Sequence, residues 1–315
     1  MAGETSADRA RAHAILRAAG AAAANLERAD NALTTSVWAT PDMVVKMGAA
    51  GSPFLRRERR MLEAVRVAVP ALPLPVVVTF GRDRCGDFLL ERRLPGAPLL
   101  ELWPSWPEAR RVRCTRQLAG LVSALHNGTR QSGPARTGSA FYRDLRRSIR
   151  RLDGAPGLEP AVVDLALALA REGVATADRT AYSVLVHNDL QFNNILADDR
   201  GITGLLDFGR ARRAPPDLEL DLLLRFVRFP RLFAREVDYG RTREGDYAEV
   251  VPALRQTLPA LFADAESEEG QARQRLYSLA YDFRQLARAP HLLLASTGTP
   301  WARILETVRA GSGSA

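Results

Sequence analysis

Lysine is almost missing from this chain. Among 44 basic residues only Lys46 is a lysine, and every other one is arginine. Cysteine is nearly as scarce: Cys85 and Cys114 are the only two, too few for a disulfide framework. The four histidines (His13, His126, His187 and His291) are scattered without zinc-ligand spacing, which argues against a structural metal and against thiol catalysis. No run of 18 apolar residues exists, so no transmembrane helix and no membrane partner are expected. Arg9, Arg11 and Arg17 interrupt the N-terminal stretch, which carries no clean signal-peptide pattern. A cytoplasmic location is the default expectation.

What is present bounds the class. A chain of 315 residues with 46% hydrophobic content can bury real cores in two lobes or domains. The net charge of +8 accompanies an excess of Ala, Leu, Gly and Pro, the pattern of a coding bias that favours arginine over lysine. A solvated arginine-rich surface explains it. No helix-turn-helix signature, RNA-binding motif or basic run interleaved with aromatics points to nucleic acid as a partner.

The densest chemical signal lies at residues 187–209. His187-Asn-Asp-Leu-Gln-Phe-Asn-Asn-Ile-Leu196 is followed, after eight intervening residues, by Leu205-Leu-Asp-Phe-Gly209. Asp189, Asn194 and Asp207 thereby stand at the spacing of a kinase site. One carboxylate can serve a hydroxyl that is to be phosphorylated, and an amide with a second carboxylate can hold Mg²⁺ on nucleotide phosphates. Lys46 fits the same chemistry. It sits in the β-rich stretch Met43-Val-Val-Lys-Met47 after the turn former Pro41-Asp42, and a compact ammonium suits contact with α- and β-phosphates. The segment Phe54–Val67 reads as a helix with Phe54, Met61, Leu62 and Val65 on its apolar face. Glu58 is the expected carboxylate partner of Lys46, ahead of Glu63.

These residues resemble the aminoglycoside phosphotransferase/choline kinase family, small-molecule relatives of protein kinases. The family's catalytic loop, His-Gly-Asp-Leu-His-Pro-x-Asn-Ile-Leu, stands here as HNDLQFNNIL, and its metal motif as GLLDFGRA. The resemblance runs from about residue 25 to residue 290. It implies an α+β, bilobal, protein-kinase-like fold: an antiparallel-sheet lobe over residues 1–92 that binds nucleotide, a mostly helical catalytic and substrate-binding lobe over 93–310, and a flexible tail at 311–315. It implies ATP and Mg²⁺ as cofactors. Asp189 takes the acceptor proton, Asn194 and Asp207 hold the metal, and Lys46, steadied by Glu58, grips the phosphates. In the family's terms Glu91-Arg-Arg-Leu-Pro-Gly96 is the interlobe hinge, which places Leu90, Glu91 and Arg92 at the nucleotide. The loop Asn31–Ser36 has no glycine, and the hydroxyls of Thr34, Thr35 and Ser36 are candidate phosphate caps. Asp221 matches a carboxylate that braces the catalytic loop from below, unless it is simply an acidic residue of a helix N-terminus. His187 is expected to brace that loop through its backbone, and His126 to be structural.

Along the chain, residues 7–20 read as a helix. Strands are expected at 26–32, 36–39, 43–47, 76–80 and 87–91, with the last two joined by a turn-rich connection over 81–86. Helices are expected over 108–126, 143–151 and 217–229 and around Leu276–Leu286, with a loop at 130–140.

Three departures from the family pattern bear on function. Asn188 stands where glycine is usual, and Asn tolerates the left-handed backbone better than most residues. Gln191-Phe192 replaces His-Pro and is expected to alter the wall facing the acceptor. Arg143–Arg151, with Arg210, Arg212, Arg213, Arg225 and Arg228, form a field that disfavours polycationic acceptors, while the acidic run 264–269 argues the other way. The leading expectation is therefore an ATP-dependent O-phosphotransferase acting on a hydroxylated antibiotic or metabolite. The alternatives are a peptide Ser/Thr kinase of natural-product biosynthesis and, in another class, a non-catalytic kinase-like scaffold.

Overall fold

The computed structural model of the chain describes residues 2–29, 35–49, 51–233, 243, 245–294 and 298–312. In chain order the elements begin with α1 (Ala2–Ala18), β1 (Glu27–Arg28), β2 (Ser36–Ala39), β3 (Met43–Met47), α2 (Phe54–Ala68), β4 (Val77–Asp83) and β5 (Gly86–Arg92). There follow β6 (Ala97–Pro98), α3 (Leu99–Leu102), α4 (Glu108–Gly128), β7 (Gln131–Ser132), α5 (Thr137–Arg150), α6 (Pro160–Ala177) and β8 (Tyr182–Val186). The rest comprises β9 (Ile195–Asp198), β10 (Gly201–Leu205), β11 (Arg212–Ala214), α7 (Leu218–Arg228), α8 (Val250–Thr257), α9 (Pro259–Glu266), α10 (Glu268–Leu286) and α11 (Pro300–Ser312). Two compact units result: residues 1–125 with 189–211, and residues 126–188 with 212–315.

The first unit is built on an antiparallel five-stranded sheet of order β1-β2-β3-β5-β4. In β3 burial alternates residue by residue, as a strand with two distinct faces requires. Met43, Val45 and Met47 join Leu90 and Trp38 in a core with Ala12, Ile15 and Leu16 of α1. Val44 and Lys46 therefore point to the opposite face, which Leu89 and Glu91 share by register. Helix α2 buries Leu55, Glu58, Leu62 and Val65, a stripe at helical spacing with a carboxylate set inside it. Phe54, expected on that stripe, instead lies over Gly209: a Cβ there would come within 2.3 Å of its ring. The connection expected over 81–86 is tighter than its composition suggests. The strands run on to Asp83 and from Gly86, leaving only Arg84-Cys85 between them, and the Asp83 carboxylate caps the turn by accepting from the Cys85 N–H (2.8 Å).

Strands β9 and β10 form a hairpin, with β6 beside β9. This hairpin brings the two halves of the 187–209 cassette together, because Asn194 directly precedes β9 and Asp207 lies two residues past β10. The Leu206 N–H donates to the Asn194 carbonyl at 2.8 Å and closes the pair.

The second unit carries the small sheet β11-β8-β7 under helices α5, α6, α10 and α11. Phe141, Leu145, Leu169, Val184, Val186, Leu276, Phe283, Trp301 and Ile304 make its core. Helices α6 and α10 approach closely at Gly173, where a Cβ would stand 2.4 Å from the Ala272 carbonyl oxygen. The basic segment is one side of the amphipathic α5, whose other side buries Thr137, Phe141, Leu145 and Ser148. The expected loop at 130–140 is shorter than its Gly/Ser/Pro content implied, since β7 and the first turn of α5 occupy both its ends. No helix among the described residues is long and apolar enough to cross a membrane.

Candidate active site

Lys46 lies on the inner face of β3 with its side chain 13% exposed. It is hydrogen-bonded to Glu58 Oε1 from α2, and its ammonium stands 3.2 Å from Glu91 Oε2 of β5. Both carboxylates are almost fully buried. Burial alone would drive the Lys46 ammonium toward its neutral form, but the charges of Glu58, Glu91 and Asp207 outweigh it and raise its pKa. Three carboxylates thus surround one ammonium. The Glu58 carboxyl is pushed up, first by burial and then by the charges of Glu91 and Asp207, against the pull of Lys46. Asp207 Oδ1, Glu58 Oε2 and Glu91 Oε1 are buried without a hydrogen-bond partner. Such a concentration of unmet negative charge is what a divalent cation relieves.

The loop expected to be catalytic begins where β8 ends. His187 is fully buried. Its N–H and that of Asn188 donate to the two oxygens of Glu219 at 2.7 and 3.1 Å. Glu219 is itself buried, with His126 Nε2 3.5 Å from Oε2. Burial opposes ionisation of Glu219, yet the nearby His126 and the charge and N–H of His187 hold its carboxyl below the usual range. Asn188 has φ 59°, the left-handed conformation that made Asn an acceptable replacement for glycine. Beyond it the chain folds back on Asp189, whose carbonyl accepts from the Gln191 N–H (2.9 Å) and from Asn194 Nδ2 (2.8 Å). The Asp189 side chain is 10% exposed, and Arg210 Nε lies 3.4 Å from its Oδ2. Asp207 also takes the left-handed conformation, at φ 60°.

The first unit therefore brings together Lys46, Glu58, Glu91, Asp207, Asn194 and Asp189. Other expected site residues are placed elsewhere. Leu90 faces the α1 core, on the opposite side of the sheet from Lys46. Arg92 is exposed, and its N–H donates to the Val76 carbonyl (2.9 Å). Glu91, expected at the hinge, turns its carboxylate onto Lys46. Ser36 Oγ accepts from Trp38 Nε1 (3.1 Å), Thr35 is half-buried beside it, and Thr34 falls outside the described residues.

Several readings are corrected. Phe192 forms no wall toward an acceptor: it is 1% exposed and packs on Trp103 with ring centroids 4.6 Å apart. The loop-bracing role expected of Asp221 belongs to Glu219; Asp221 instead accepts from Ser278 Oγ (3.0 Å) and lies 3.6 Å from Arg225. The acidic run 264–269 is neither a loop nor a pocket lining. Asp264 and Glu266 pair with Arg273 and Arg255, and Ser267 caps α10 by accepting from the Gly270 N–H. Much of the arginine field is spent inside the second unit. Arg225 is buried against Asp282, Arg212 lies over the Phe141 ring and Arg213 donates to the Thr129 carbonyl. The sequence reading missed Glu219 and the Arg210 contact. The available signal was two carboxylates in the first turn of a helix with an apolar middle, and an arginine three residues after Asp207.

Comparison with known proteins agrees with this geometry. Residues 29–253 match the model of the phosphotransferase enzyme family. No curated protein matches the chain. Among solved structures, a thermostable mutant of aminoglycoside phosphotransferase APH(4)-Ia, in ternary complex with ADP and hygromycin B, is similar at 17% identity. Its TM-score is 0.68, over 95% of this chain and 98% of that one. ADP-bound APH(2'')-Ib gives 15% identity and a TM-score of 0.58 over 90% and 92%. The streptomycin–ATP–APH(2")-IIa ternary complex gives 14% and 0.58 over 87% and 86%. At these identities the likeness shows the fold, which is the α+β kinase-like one.

Proposed function

The chain belongs to the phosphotransferase enzyme family, and on that premise we propose that it transfers the γ-phosphoryl group of ATP, with Mg²⁺, to a hydroxyl of a small molecule. The observation that carries this reading is the gathering of Lys46, Glu58 and Asp207 in one buried cluster, with Asp189 and Asn194 on the adjoining loop. The aminoglycoside phosphotransferases of similar fold were crystallised with nucleotides and with hygromycin B or streptomycin, which supports nucleotide binding and a hydroxyl-bearing acceptor.

In this reading Asp189 orients the acceptor hydroxyl and takes its proton as the oxygen bonds to phosphorus. The transition state is loose, so placement matters more than basicity. Arg210, with its Nε 3.4 Å from Asp189 Oδ2, sets a positive charge beside that carboxylate. The Asn194 amide locks the loop through the Asp189 carbonyl, and its side-chain oxygen remains for a cation. Asn194 and the unpartnered oxygen of Asp207 are hard oxygen donors and would hold Mg²⁺. When bound, Mg²⁺ neutralises charge on the phosphates. Lys46 contributes its own charge toward the same phosphates.

A second acceptor class is favoured by one feature. Arg143, Arg146 and Arg150 line a concavity of about 200 Å³ with Ser139, Tyr142 and Val174. Exposed guanidinium groups facing one hollow suit an acidic peptide that would carry a Ser or Thr to be phosphorylated. The test is ATP turnover and phosphate incorporation by wild type and Asp189→Ala over hydroxylated small molecules and acidic peptides. Loss of roughly 10²–10⁴-fold in the variant is expected. Equal activity in both proteins would remove Asp189 as the base, and no nucleotide turnover in wild type would leave the scaffold reading.

A further inference from the structure

We propose that Glu91 is a positioning residue for phosphoryl transfer, forming with Glu58 a two-carboxylate clamp that fixes the rotation of the Lys46 ammonium and aims its remaining N–H at the nucleotide phosphates. The proposal deepens the phosphotransferase reading above and rests on it. An ammonium carries three equivalent donors on a bond that turns freely. One carboxylate leaves the head free to swivel about a single contact. A second carboxylate, 3.2 Å from the ammonium, opposes that swivel by its charge and favours one direction for the remaining donors.

The two partners have independent supports. Glu58 comes from α2 and depends on how that helix docks. Glu91 comes from β5, the strand hydrogen-bonded to the lysine's own strand, where it pairs with Val44, two residues before Lys46 on the same face. The sheet ladder itself therefore sets the reach from Glu91 to Lys46, at 3.2 Å. Glu58 is 1% and Glu91 2% exposed, so water cannot stand in for either carboxylate. A charge that deeply buried is tolerated only when paired, and Lys46 is the cation that meets it.

The clamp predicts a particular kinetic signature. Removing the Glu91 charge frees the ammonium, which matters most in the transition state, while it also lifts a repulsion on the incoming phosphates. Ground-state affinity then changes little and turnover falls.

Because Lys46 is the chain's only lysine, full-length protein labelled with ¹⁵N-lysine gives a single side-chain ammonium resonance. Wild type is expected to show restricted rotation and slow water exchange of that group, Glu91→Gln free rotation and fast exchange, and Glu91→Asp values between them. With Mg·ATP and water as acceptor, Glu91→Gln is expected to lower kcat roughly tenfold with KM held within about twofold. Combined with Glu58→Gln, the loss should exceed the product of the single effects. An unchanged ammonium signal and unchanged kcat in Glu91→Gln overturn the proposal, as does a lowered thermal midpoint with kcat intact. If Glu91→Gln does not fold, Glu91→Asp decides the matter by the same two readouts, and wild-type values overturn the clamp. If wild type turns over no ATP, the phosphotransferase reading fails, while the ammonium signal still tells whether the clamp exists.

Discussion

Replacing Glu219 by alanine strips the catalytic loop of two backbone hydrogen bonds at once. Its oxygens accept from the His187 and Asn188 N–H groups at 2.7 and 3.1 Å, and the carboxylate is 1% exposed. Hydrogen bonds to a buried charge are worth about 1.5–3 kcal/mol each, so the pair contributes roughly 3–6 kcal/mol to holding the loop. The residue next in the chain is Asp189, and an error of about 1 Å in its placement costs on the order of 10²-fold in rate. Native-state hydrogen exchange reads the effect locally. Protection of the two amides should fall by about 10²–10⁴-fold in Glu219→Ala, with a lowered urea midpoint. The pH dependence follows from the sign of the shift. The folded carboxyl sits below its ordinary range despite burial, because of His126 and His187. Its stabilisation is therefore complete above the unfolded value of about 4.3 and is lost as the pH falls through the depressed folded value. Glu219→Gln should accordingly differ most from wild type near neutral pH and converge with it in acid. A loss below about 1 kcal/mol, with both amides still protected, would show that the loop is braced by something else.

Two further outcomes separate packing from chemistry. Phe192→Ala should cost about 3–5 kcal/mol of stability, because the ring is buried against Trp103, and it should leave the preference among acceptors unchanged. Altered selectivity at native stability would return Phe192 to the acceptor wall. Asp207→Asn should flatten the dependence of ADP binding on Mg²⁺ concentration, since it removes the one charged donor of the Asn194–Asp207 pair, at an oxygen without a protein partner. An unchanged Mg²⁺ titration would move the metal to other ligands.

The readable part of the fold was the part governed by local pattern. The β-rich stretch Met43–Met47 gave a strand, the segment Phe54–Val67 a helix, and the carboxylate at Glu58 a partner for Lys46, all within a few residues of one another. Composition misled where short range was the wrong range. The Gly-rich stretch at 81–86 reads as a long turn, yet strand pairing extends almost across it because ladder hydrogen bonds outweigh local flexibility. The Gly/Ser/Pro content of 130–140 likewise hid a strand and a helix start.

The sequence by itself determined the chemistry on offer: one lysine in a chain of arginines, an Asp-x4-Asn loop and a later Asp-Phe-Gly, in the order a phosphoryl-transfer site uses them. Tertiary structure decided which side chains meet. Glu91 reaches Lys46 across a strand ladder, Glu219 holds a loop more than thirty residues earlier, and Phe192 turns inward onto Trp103. Arg225, one of the arginines that look like a surface field, lies inside a buried ion pair with Asp282. Residue identity fixes what a group can donate, accept or ionise. Its partner, and whether water can replace that partner, depends on burial and register between distant segments, which no local window of the chain contains.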